Sequence, residues 1–271
     1  MRQGQDDPGE DLPGIGPVDP RGVLEFRGDT EEELAKIERV RYNQRLAHPV
    51  YIAFDEWNVW YRTRSHEDRV AGVQEQYNLG DALAVATYLN IFIRYCRIVR
   101  IANLAQLVNA IAPIFTNRQG LFLQTIYHPL RLYAEHTREV ALDVHVDCES
   151  YDLSPSQEEG GIGRRVHIAD LSPFKLLDAS ATCDTAGRKV TLAVVNRDPE
   201  RKHTAAIQFT GGSAPSTVNV AEVNGPGPDA MNSIERPDVV GVREDRVSPG
   251  RSSFEYAFPA HSVTLLRFEL A

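Results

Sequence analysis

The pattern of apolar and polar positions changes about halfway along the chain. In the first half, apolar residues recur on one helical face over residues 34–40, and residues 50–54 and 98–102 form short, mostly apolar runs of strand length. Residues 79–96 are apolar almost all round a helix, which indicates burial on several sides. From about residue 140, short alternating runs are separated by Gly, Pro, Asn and Asp, a pattern typical of a β-sandwich. The pattern therefore predicts an α/β region followed by an all-β region.

Local signals predict two helix boundaries and a kink. Thr30 and Glu33 have the spacing of a capping box, which predicts that a helix begins at Thr30 and leads into the first strand. Another helix is predicted over residues 122–136. Pro129 should kink that helix, because proline lacks an amide donor and its ring clashes with the preceding turn. Residues 1–29 are polar and rich in glycine and proline, which favours a flexible lead.

The sequence YIAFDEWNVWY, residues 51–61, joins a predicted strand to a carboxylate pair and two tryptophans. The apolar run suits a strand buried on both faces, as in a parallel sheet wrapped by helices. Asp55 and Glu56 follow its carboxyl end, where the polar residues of an α/β barrel face the site. Trp57 and Trp60 supply wide apolar surfaces of the kind against which sugar rings lie. These residues predict a sugar-cleaving site, and the alternative interpretation is a solvated turn with core tryptophans.

Composition and charge exclude several kinds of binding partner and indicate a cellular compartment. A formal net charge of -9 without a basic stripe argues against a nucleic-acid partner or an anionic membrane surface. No apolar run is long enough to span a bilayer, and the acidic start of the chain is unlike a signal peptide. We therefore predict a cytoplasmic protein. The histidines lack metal-ligand spacing, so no metal and no cofactor are predicted. The cysteines are odd in number and widely spaced, which favours free thiols: Cys96, Cys148 and Cys183.

Six segments have distinctive sequences: DEWNVW, NLGDALAVATYLN, RIVRIANLAQLVNAIAPIF, QTIYHPLRLYAEH, TLAVVNRDPE and FPAHSVTLLRFEL. The first four resemble the C-terminal half of the α-L-arabinofuranosidases of glycoside hydrolase family fifty-one, and the last two resemble the family's terminal β-sandwich. The resemblance covers about residues 34–270. It implies the last βα units of a TIM (β/α)8 barrel, within residues 30–138, followed by a C-terminal β-sandwich over residues 139–271. Gly80 departs from the family, which usually has an acidic residue there, and this leaves the anchoring of the adjacent loop open.

The resemblance also implies an activity and roles for single residues. The family removes terminal non-reducing α-L-arabinofuranosyl residues from arabinans, arabinoxylans and arabinosides with retention of configuration. Glu56 matches the family's nucleophile. Trp60 and Gln106 match residues that contact the bound arabinose. Three further residues are expected to orient Glu56 and its loop: Asp55, Asn58 and Asn103.

A complete site needs more than these residues. Retaining glycosidases use two carboxyl groups about 5–5.5 Å apart. The family's acid/base lies in an Asn-Glu context on an earlier strand, and this sequence contains no Asn-Glu dipeptide. The pattern predicts two parallel strands, whereas such a barrel has eight. We therefore expect an upstream polypeptide to complete the site. A non-catalytic carbohydrate-binding or assembly module and an inactive truncated product stay open as alternatives, and the resemblance also implies a homo-oligomer.

Overall fold

The computed structural model describes residues 26–44, 50–59, 74–104, 106–152, 173–210, 217–248 and 254–270. Three helices alternate with strands in its first part, and the rest is almost entirely strand. In chain order the elements are α1 (Phe26–Gln44), β1 (Ile52–Phe54), α2 (Leu79–Arg94), β2 (Val99–Ala102), β3 (Ile114–Asn117), β4 (Gly120–Leu123), α3 (Tyr127–His136), β5 (Val140–Leu142), β6 (Ser150–Tyr151), β7 (Phe174–Lys175), β8 (Leu177–Cys183), β9 (Lys189–Asn196), β10 (His203–Ile207), β11 (Val218–Asn224), β12 (Gly241–Val247), β13 (Phe254–Phe258) and β14 (Ser262–Glu269).

The strands β1 and β2 form a parallel pair. Ile52 lies opposite Val99 and Phe54 lies opposite Ala102, with a register shift between these two pairings. One face of the pair packs on α2, where the rings of Phe54 and Phe92 are 5.1 Å apart between centroids. The prediction of two parallel strands separated by a buried helix is confirmed over these residues.

The face of this pair that points away from α2 is exposed. Tyr51 and Ala53 are exposed at β1, and Ile101 is exposed on β2. The prediction that residues 50–54 are buried on both faces is therefore wrong. Within the described residues, apolar partners pack on the α2 side alone. The ring of Tyr51 instead contacts the guanidinium groups of Arg41 and Arg100, which lie 5.5 and 4.9 Å from its centroid.

The helix α2 is buried between two layers, as its almost uniformly apolar sequence predicts. One side packs on the β1–β2 pair and the other on the large antiparallel sheet. Asn78 caps the helix, and its side chain and that of Asp81 form a reciprocal capping box. The amide of Gly80 donates to the carbonyl of Pro228, and that of Leu79 donates to Ala230. The loop is thus anchored by its cap and by the β-rich region, without an acidic residue at position 80.

The β-rich region is built on a six-stranded antiparallel sheet with strand order β12-β11-β14-β9-β8-β5. On one face of this sheet, α2 and α3 pack on residues such as Val195, Val223 and Leu265. The other face shares an apolar cluster with the two-stranded β10–β13 sheet, to which Phe254 and Phe258 contribute. This places two packed sheets beneath a helical layer, and the predicted change to strand structure near residue 140 is confirmed by β5.

Three local predictions are wrong. The helix α1 begins at Phe26, so Thr30 lies inside it and is not its cap. Phe122 lies in the β3–β4 hairpin, because its ring packs on Phe115 at a centroid distance of 5.2 Å. The following helix begins only at Tyr127. Pro129 is its third residue, where the proline needs no amide donor, so the helix has no reason to kink there.

Cys96, Cys148 and Cys183 are all free thiols. Among the helices in the described part of the chain, none is long and apolar enough to cross a membrane.

Candidate active site

The carboxyl ends of β1 and β2 meet at one edge of the parallel pair. The amide of Asn103, just past β2, donates to the carbonyl of Phe54 at 2.7 Å. Asp55 and Glu56 follow Phe54 directly, and Gln106 follows Asn103 after two intervening residues. The adjacency of the two strand ends therefore brings these predicted site segments to the same edge.

The predicted site residues at this edge face water. Asp55, Glu56, Asn103 and Gln106 are all exposed. An exposed carboxylate is accessible to a substrate. Trp60 lies outside the described residues, as does the charged loop of residues 62–69, so the predicted contact of Trp60 with arabinose stays a prediction.

Trp57 is a core residue. Its side chain is only 7% exposed and packs between Tyr88 and Phe92 of α2, with centroid distances of 5.6 and 5.1 Å. The suggestion that Trp57 forms a sugar-stacking wall is wrong, because its faces are occupied by other rings. Its burial instead fixes the backbone next to Glu56 against α2.

Asn58 holds the loop that follows Glu56. Its side-chain amide donates to the hydroxyl of Tyr77 at 3.0 Å and to the carbonyl of Ile111 at 2.9 Å, while its own carbonyl oxygen accepts from the amide of Val59. The Tyr77 hydroxyl in turn donates to the Val59 carbonyl at 3.1 Å. These four contacts hold the backbone after Glu56, while the predicted role of Asn58 in orienting Glu56 itself stays a prediction.

Tyr77 and Gln124 extend this support, although no motif in the sequence singles them out. Gln124 is almost fully buried, and its side-chain oxygen accepts from the amide of Tyr77 at 2.9 Å. Its amide nitrogen donates to the carbonyls of Glu75 and Ala112, both at 2.9 Å. One glutamine therefore ties together the segment before α2 and the loop after β2. In the sequence, Gln124 is only a polar residue shortly before a helix. That pattern does not distinguish a buried side-chain amide from a solvated one.

Electrostatics keep Tyr77 in its neutral form. Burial raises the pKa of its hydroxyl far above the usual value, and the nearby carboxylates of Glu75 and Asp81 add to the rise. The hydroxyl therefore keeps its proton at any physiological pH and remains a donor to Val59. The hydrogen bond from the Tyr77 hydroxyl to the loop beside Glu56 is therefore present over the whole physiological pH range.

A second polar network joins α2 to the antiparallel sheet. Asp178 on β8 is 4% exposed and contacts Arg94 at 3.2 Å and Arg197 at 3.0 Å. Asn90 on α2 donates to the Asp178 carboxylate at 2.8 Å and accepts from the hydroxyl of Tyr133 at 2.7 Å. The pKa of Arg94 is raised, because its two carboxylate partners outweigh the opposing effect of burial. The network fixes how α2, and with it the β1–β2 pair, sits on the sheet.

His128, which precedes Pro129 on α3, is also a packing residue. It is buried on α3 near the backbone of Val240. Burial lowers its pKa, and the neighbouring Arg131 lowers it further. His128 is therefore neutral at physiological pH and lies against the β-rich region.

A cavity of about 580 Å³ lies elsewhere, between α1, the end of α2 and the strands β7 and β8. Among the described residues its lining includes Glu31, Arg94, Tyr95 and His145, and it does not include Asp55, Glu56 or Gln106. The predicted site is thus an open strand edge rather than this cavity.

Known proteins resemble the chain over most of its length. A family model described as the alpha-L-arabinofuranosidase C-terminal domain matches residues 55–262. The probable alpha-L-arabinofuranosidase C of Aspergillus niger is 36% identical over 224 residues, which make up 83% of this chain and 41% of that protein. The chain therefore spans less than half the length of this relative.

Two solved structures share the fold. The α-L-arabinofuranosidase of Thermotoga maritima, solved as an arabinose complex, has a TM-score of 0.77 and 29% identity, covering 94% of this chain and 51% of its own. The GH51 α-L-arabinofuranosidase of Thermotoga petrophila RKU-1 has a TM-score of 0.76 and 28% identity, covering 93% of this chain and 50% of its own.

Proposed function

This chain belongs to the family of the α-L-arabinofuranosidase C-terminal domain, as the C-terminal part of an enzyme of glycoside hydrolase family fifty-one, and we propose that it supplies the nucleophile of a retaining α-L-arabinofuranosidase site. The proposal rests on one observation. Glu56 is an exposed carboxylate at the carboxyl end of a parallel strand, held between the buried Trp57 and the adjoining strand end.

The chemistry proposed for Glu56 is attack on the anomeric carbon of an α-L-arabinofuranosyl group. The bond to the leaving oxygen breaks as that oxygen takes a proton from a second carboxyl group, which comes from outside this chain. A glycosyl ester on Glu56 results. The second carboxylate then takes a proton from water, which hydrolyses the ester and returns Glu56 to its starting state.

Neighbouring residues have proposed roles in binding and positioning. Gln106 offers both a donor and an acceptor to sugar hydroxyls from the adjacent strand end. Asn58 fixes the loop through Tyr77 and Ile111. Asp55 and Asn103 stand beside Glu56 at the same edge and orient it. Trp60 is proposed to contact the sugar on the strength of its motif.

The architecture proposed for the first part is the end of a (β/α)8 barrel. β1 and β2 are parallel, α2 connects them, and their outward face is open, as expected for two neighbouring strands of a larger sheet. In this proposal the barrel segment occupies residues 30–138 and the sandwich residues 139–271.

Substrate and location follow from the same proposal. The substrates are terminal α-L-arabinofuranosyl groups of arabinans, arabinoxylans or small arabinosides. A cytoplasmic location agrees with the free thiols and the net charge of -9. A homo-oligomer is proposed from the family resemblance. The alternative of a tryptophan-based binding module is weakened, because Trp57 is buried among other rings and offers no face to a sugar.

The experiment that tests the nucleophile is covalent trapping. A dinitrophenyl α-L-arabinofuranoside has a leaving group that departs without protonation, so the first step can proceed slowly without the second carboxyl group. We expect intact mass measurement, on this chain combined with the upstream region of a relative in which the glutamate of the Asn-Glu motif is replaced by alanine, to show one arabinofuranosyl group added, because the ester on Glu56 then forms without being hydrolysed. Glu56→Gln should show none, and Glu139→Gln, which alters an exposed carboxylate elsewhere, should be labelled like the wild type.

Two outcomes would overturn this assignment. Equal labelling of Glu56→Gln would mean that another residue attacks the sugar. Efficient hydrolysis of an unactivated arabinan by the chain alone would mean that the acid/base lies within it.

A further inference from the structure

The loop between β2 and β3 contains two residues in the left-handed region of the backbone. Asn109 has a φ of 65° and Ile111 has a φ of 43°. Asparagine tolerates this region, whereas a β-branched residue such as isoleucine is a genuine outlier there, because its side chain crowds the backbone. Glycine adopts the same φ without steric cost. Two such residues so close together therefore mark local backbone strain.

A hydrogen bond across Asn109 shows the form of the turn. The amide of Ala110 donates to the carbonyl of Val108 at 2.8 Å. A bond between residues two positions apart, closed around a central residue with positive φ, is the mark of the rarer and more strained kind of γ-turn. We call residues 108–111 the strained turn. It begins two residues after Gln106, which the proposed function places against the sugar.

The hairpin that follows clamps the strained turn. The side-chain oxygen of Asn109 accepts from the amide of Thr116 at 2.8 Å, and the amide of Asn109 donates to the carbonyl of Ile114 at 2.8 Å. Just beyond the turn, the buried side chain of Gln124 donates to the carbonyl of Ala112 at 2.9 Å. Strained backbone persists where surrounding contacts fix it in this way.

The far end of the strained turn contacts the loop that carries Glu56. The carbonyl of Ile111 accepts at 2.9 Å from the side-chain amide of Asn58, two residues after Glu56. The direction of a carbonyl follows from the dihedral angles of its own residue, so the left-handed conformation of Ile111 aims its oxygen at Asn58. The side chain of Ile111 is 7% exposed and belongs to the same buried cluster as Trp57. The turn therefore joins the segment of Gln106 to the loop of Glu56.

We propose that the strained turn positions the nucleophile. Its left-handed backbone holds the carbonyl of Ile111 against Asn58, and this contact fixes the loop of Glu56. Because the same turn follows Gln106, it sets the two strand ends of the site relative to each other. Asn109 and Ile111 are thus positioning residues that act through Glu56. The inference rests on the proposed function, in which Glu56 attacks the anomeric carbon.

The test measures how fast Glu56 is labelled by the dinitrophenyl α-L-arabinofuranoside, on this chain combined with the upstream region of a relative whose Asn-Glu glutamate is replaced by alanine. Asn109→Ala removes the acceptor for the amide of Thr116 and places a residue that disfavours positive φ in the turn. The rate constant of labelling at saturating substrate should fall about tenfold or more, because the carboxylate loses its alignment with the anomeric carbon. The half-saturating concentration should change less than about threefold, since the other contacts of the sugar remain.

Two further variants are the controls. Asn109→Asp keeps an acceptor and tolerates the left-handed region, so it should be labelled at nearly the wild-type rate. The side-chain oxygen of Asn117 accepts from the amide of Gln119, also at 2.8 Å, in the exposed turn of the β3–β4 hairpin. Asn117→Ala should therefore leave the rate unchanged. An equal fall in this variant would refute the proposal.

A role in folding alone gives a different result. It would lower the urea midpoint or the labelled fraction of the protein, while the molecules that remain folded would react at the wild-type rate, and this outcome rules the proposal out. Asn109→Gly covers the case in which Asn109→Ala does not fold, because glycine adopts the left-handed backbone but lacks the bond to Thr116. Its rate should fall about threefold or more, since the turn keeps its shape and loses its clamp. An unchanged rate in folded Asn109→Gly would contradict the proposal as well.

Hydrogen exchange on the chain alone tests the coupling without any reaction. The amide of Thr116 donates to the side chain of Asn109, and that of Val59 donates to the side chain of Asn58. In Asn109→Ala both amides should exchange about tenfold faster or more, while amides in the middle of α2 exchange as in the wild type. Faster exchange at Thr116 without a change at Val59 would show that the turn does not act on the loop of Glu56, and the proposal would be wrong.

A double-mutant cycle tests whether the effect passes through Asn58. If it does, Asn58→Ala combined with Asn109→Ala should slow labelling little more than the slower of the two single variants does. Effects that multiply would mean that the two residues act independently, which overturns the proposed route.

The two kinds of measurement separate this inference from the proposed function. A wild-type combination that is never labelled at Glu56, together with coupled exchange of Thr116 and Val59, removes the proposed function and supports the strained turn as the element that positions the loop. Wild-type labelling at Glu56 with an unchanged rate in Asn109→Ala does the reverse.

Discussion

The side chain of Asn58 donates a hydrogen bond to the hydroxyl of Tyr77 at 3.0 Å, across a sequence separation of 19 residues. The same hydroxyl donates to the carbonyl of Val59. The pair closes a small ring of contacts between the loop after β1 and the segment before α2. The backbone that carries Glu56 is therefore held on its C-terminal side by a buried, neutral phenol.

Replacing Tyr77 with phenylalanine should destabilise the chain by about 1–3 kcal/mol, because it removes the acceptor for Asn58 and the donor to Val59 while keeping the ring. Urea denaturation, followed by tryptophan fluorescence from the neighbouring Trp57, measures the change. Tyr42→Phe, on an exposed part of α1, is the matched control. An unchanged urea midpoint for Tyr77→Phe would show that the hydroxyl contributes nothing.

Asp178→Asn should lower the free energy of unfolding by about 3–5 kcal/mol, because it removes the negative charge that balances the guanidinium groups of Arg94 and Arg197. The control is Asp245→Asn, whose partner Arg243 lies at 3.5 Å on the exposed edge strand, and it should change stability little. Unfolding in urea distinguishes the two. Equal effects would mean that the buried network does not hold α2 on the sheet.

Asp198 should make stability depend on pH in the acid range. Burial opposes its ionisation, but hydrogen bonds from His203, from the backbone amides of Glu200 and Arg201 and from the Arg201 side chain outweigh it, and its pKa falls from 3.8 to about 2. The unfolded chain therefore binds more protons between these values, so stability rises with pH there. The contribution, about 2 kcal/mol, is present above pH 4 and lost as the pH falls through 2.

The measurement for Asp198 is the free energy of unfolding of the wild type and of Asp198→Asn at a series of acid pH values. The difference between the two proteins should shrink as the pH approaches 2. A difference that stays constant over that range would show that the ionisation of Asp198 is not linked to folding.

Gln106→Ala should weaken transition-state binding by about 1–3 kcal/mol in the completed enzyme, because sugar hydroxyls lose a donor and an acceptor. The value follows from kcat/KM on an aryl α-L-arabinofuranoside. Gln119→Ala, at the exposed turn of the β3–β4 hairpin, is the control. Unchanged kinetics for Gln106→Ala would remove it from the site.

Short-range hydrophobic patterns in the sequence predicted much of the fold. The uniformly apolar run that became α2, the two parallel strands on either side of it and the change to strands near residue 140 all follow from periodicity. Boundaries were less predictable. The capping-box spacing predicted that α1 begins at Thr30, but the helix begins four residues earlier, at Phe26.

Burial was the property that local patterns could not assign. Glu56 and Trp57 are adjacent in the same motif, yet the side chain of Trp57 is buried in the core and that of Glu56 is exposed. No local pattern singles out Tyr77 and Gln124, since their importance arises from partners 12 to 49 residues away.

The sequence by itself determined the family, the strand that ends at Glu56 and the α/β to all-β order, because each is written in residues that are adjacent or regularly spaced. Only the tertiary structure decided that Asn58 bonds to Tyr77, that Asp178 joins α2 to the sheet and that, within the described part of the chain, Tyr51 and Ile101 are exposed on one face of the β1–β2 pair. The physical reason is that hydrogen bonds and burial depend on which segments, far apart in the sequence, come into contact in the fold. The periodicity of a segment does not indicate which distant segment it will contact.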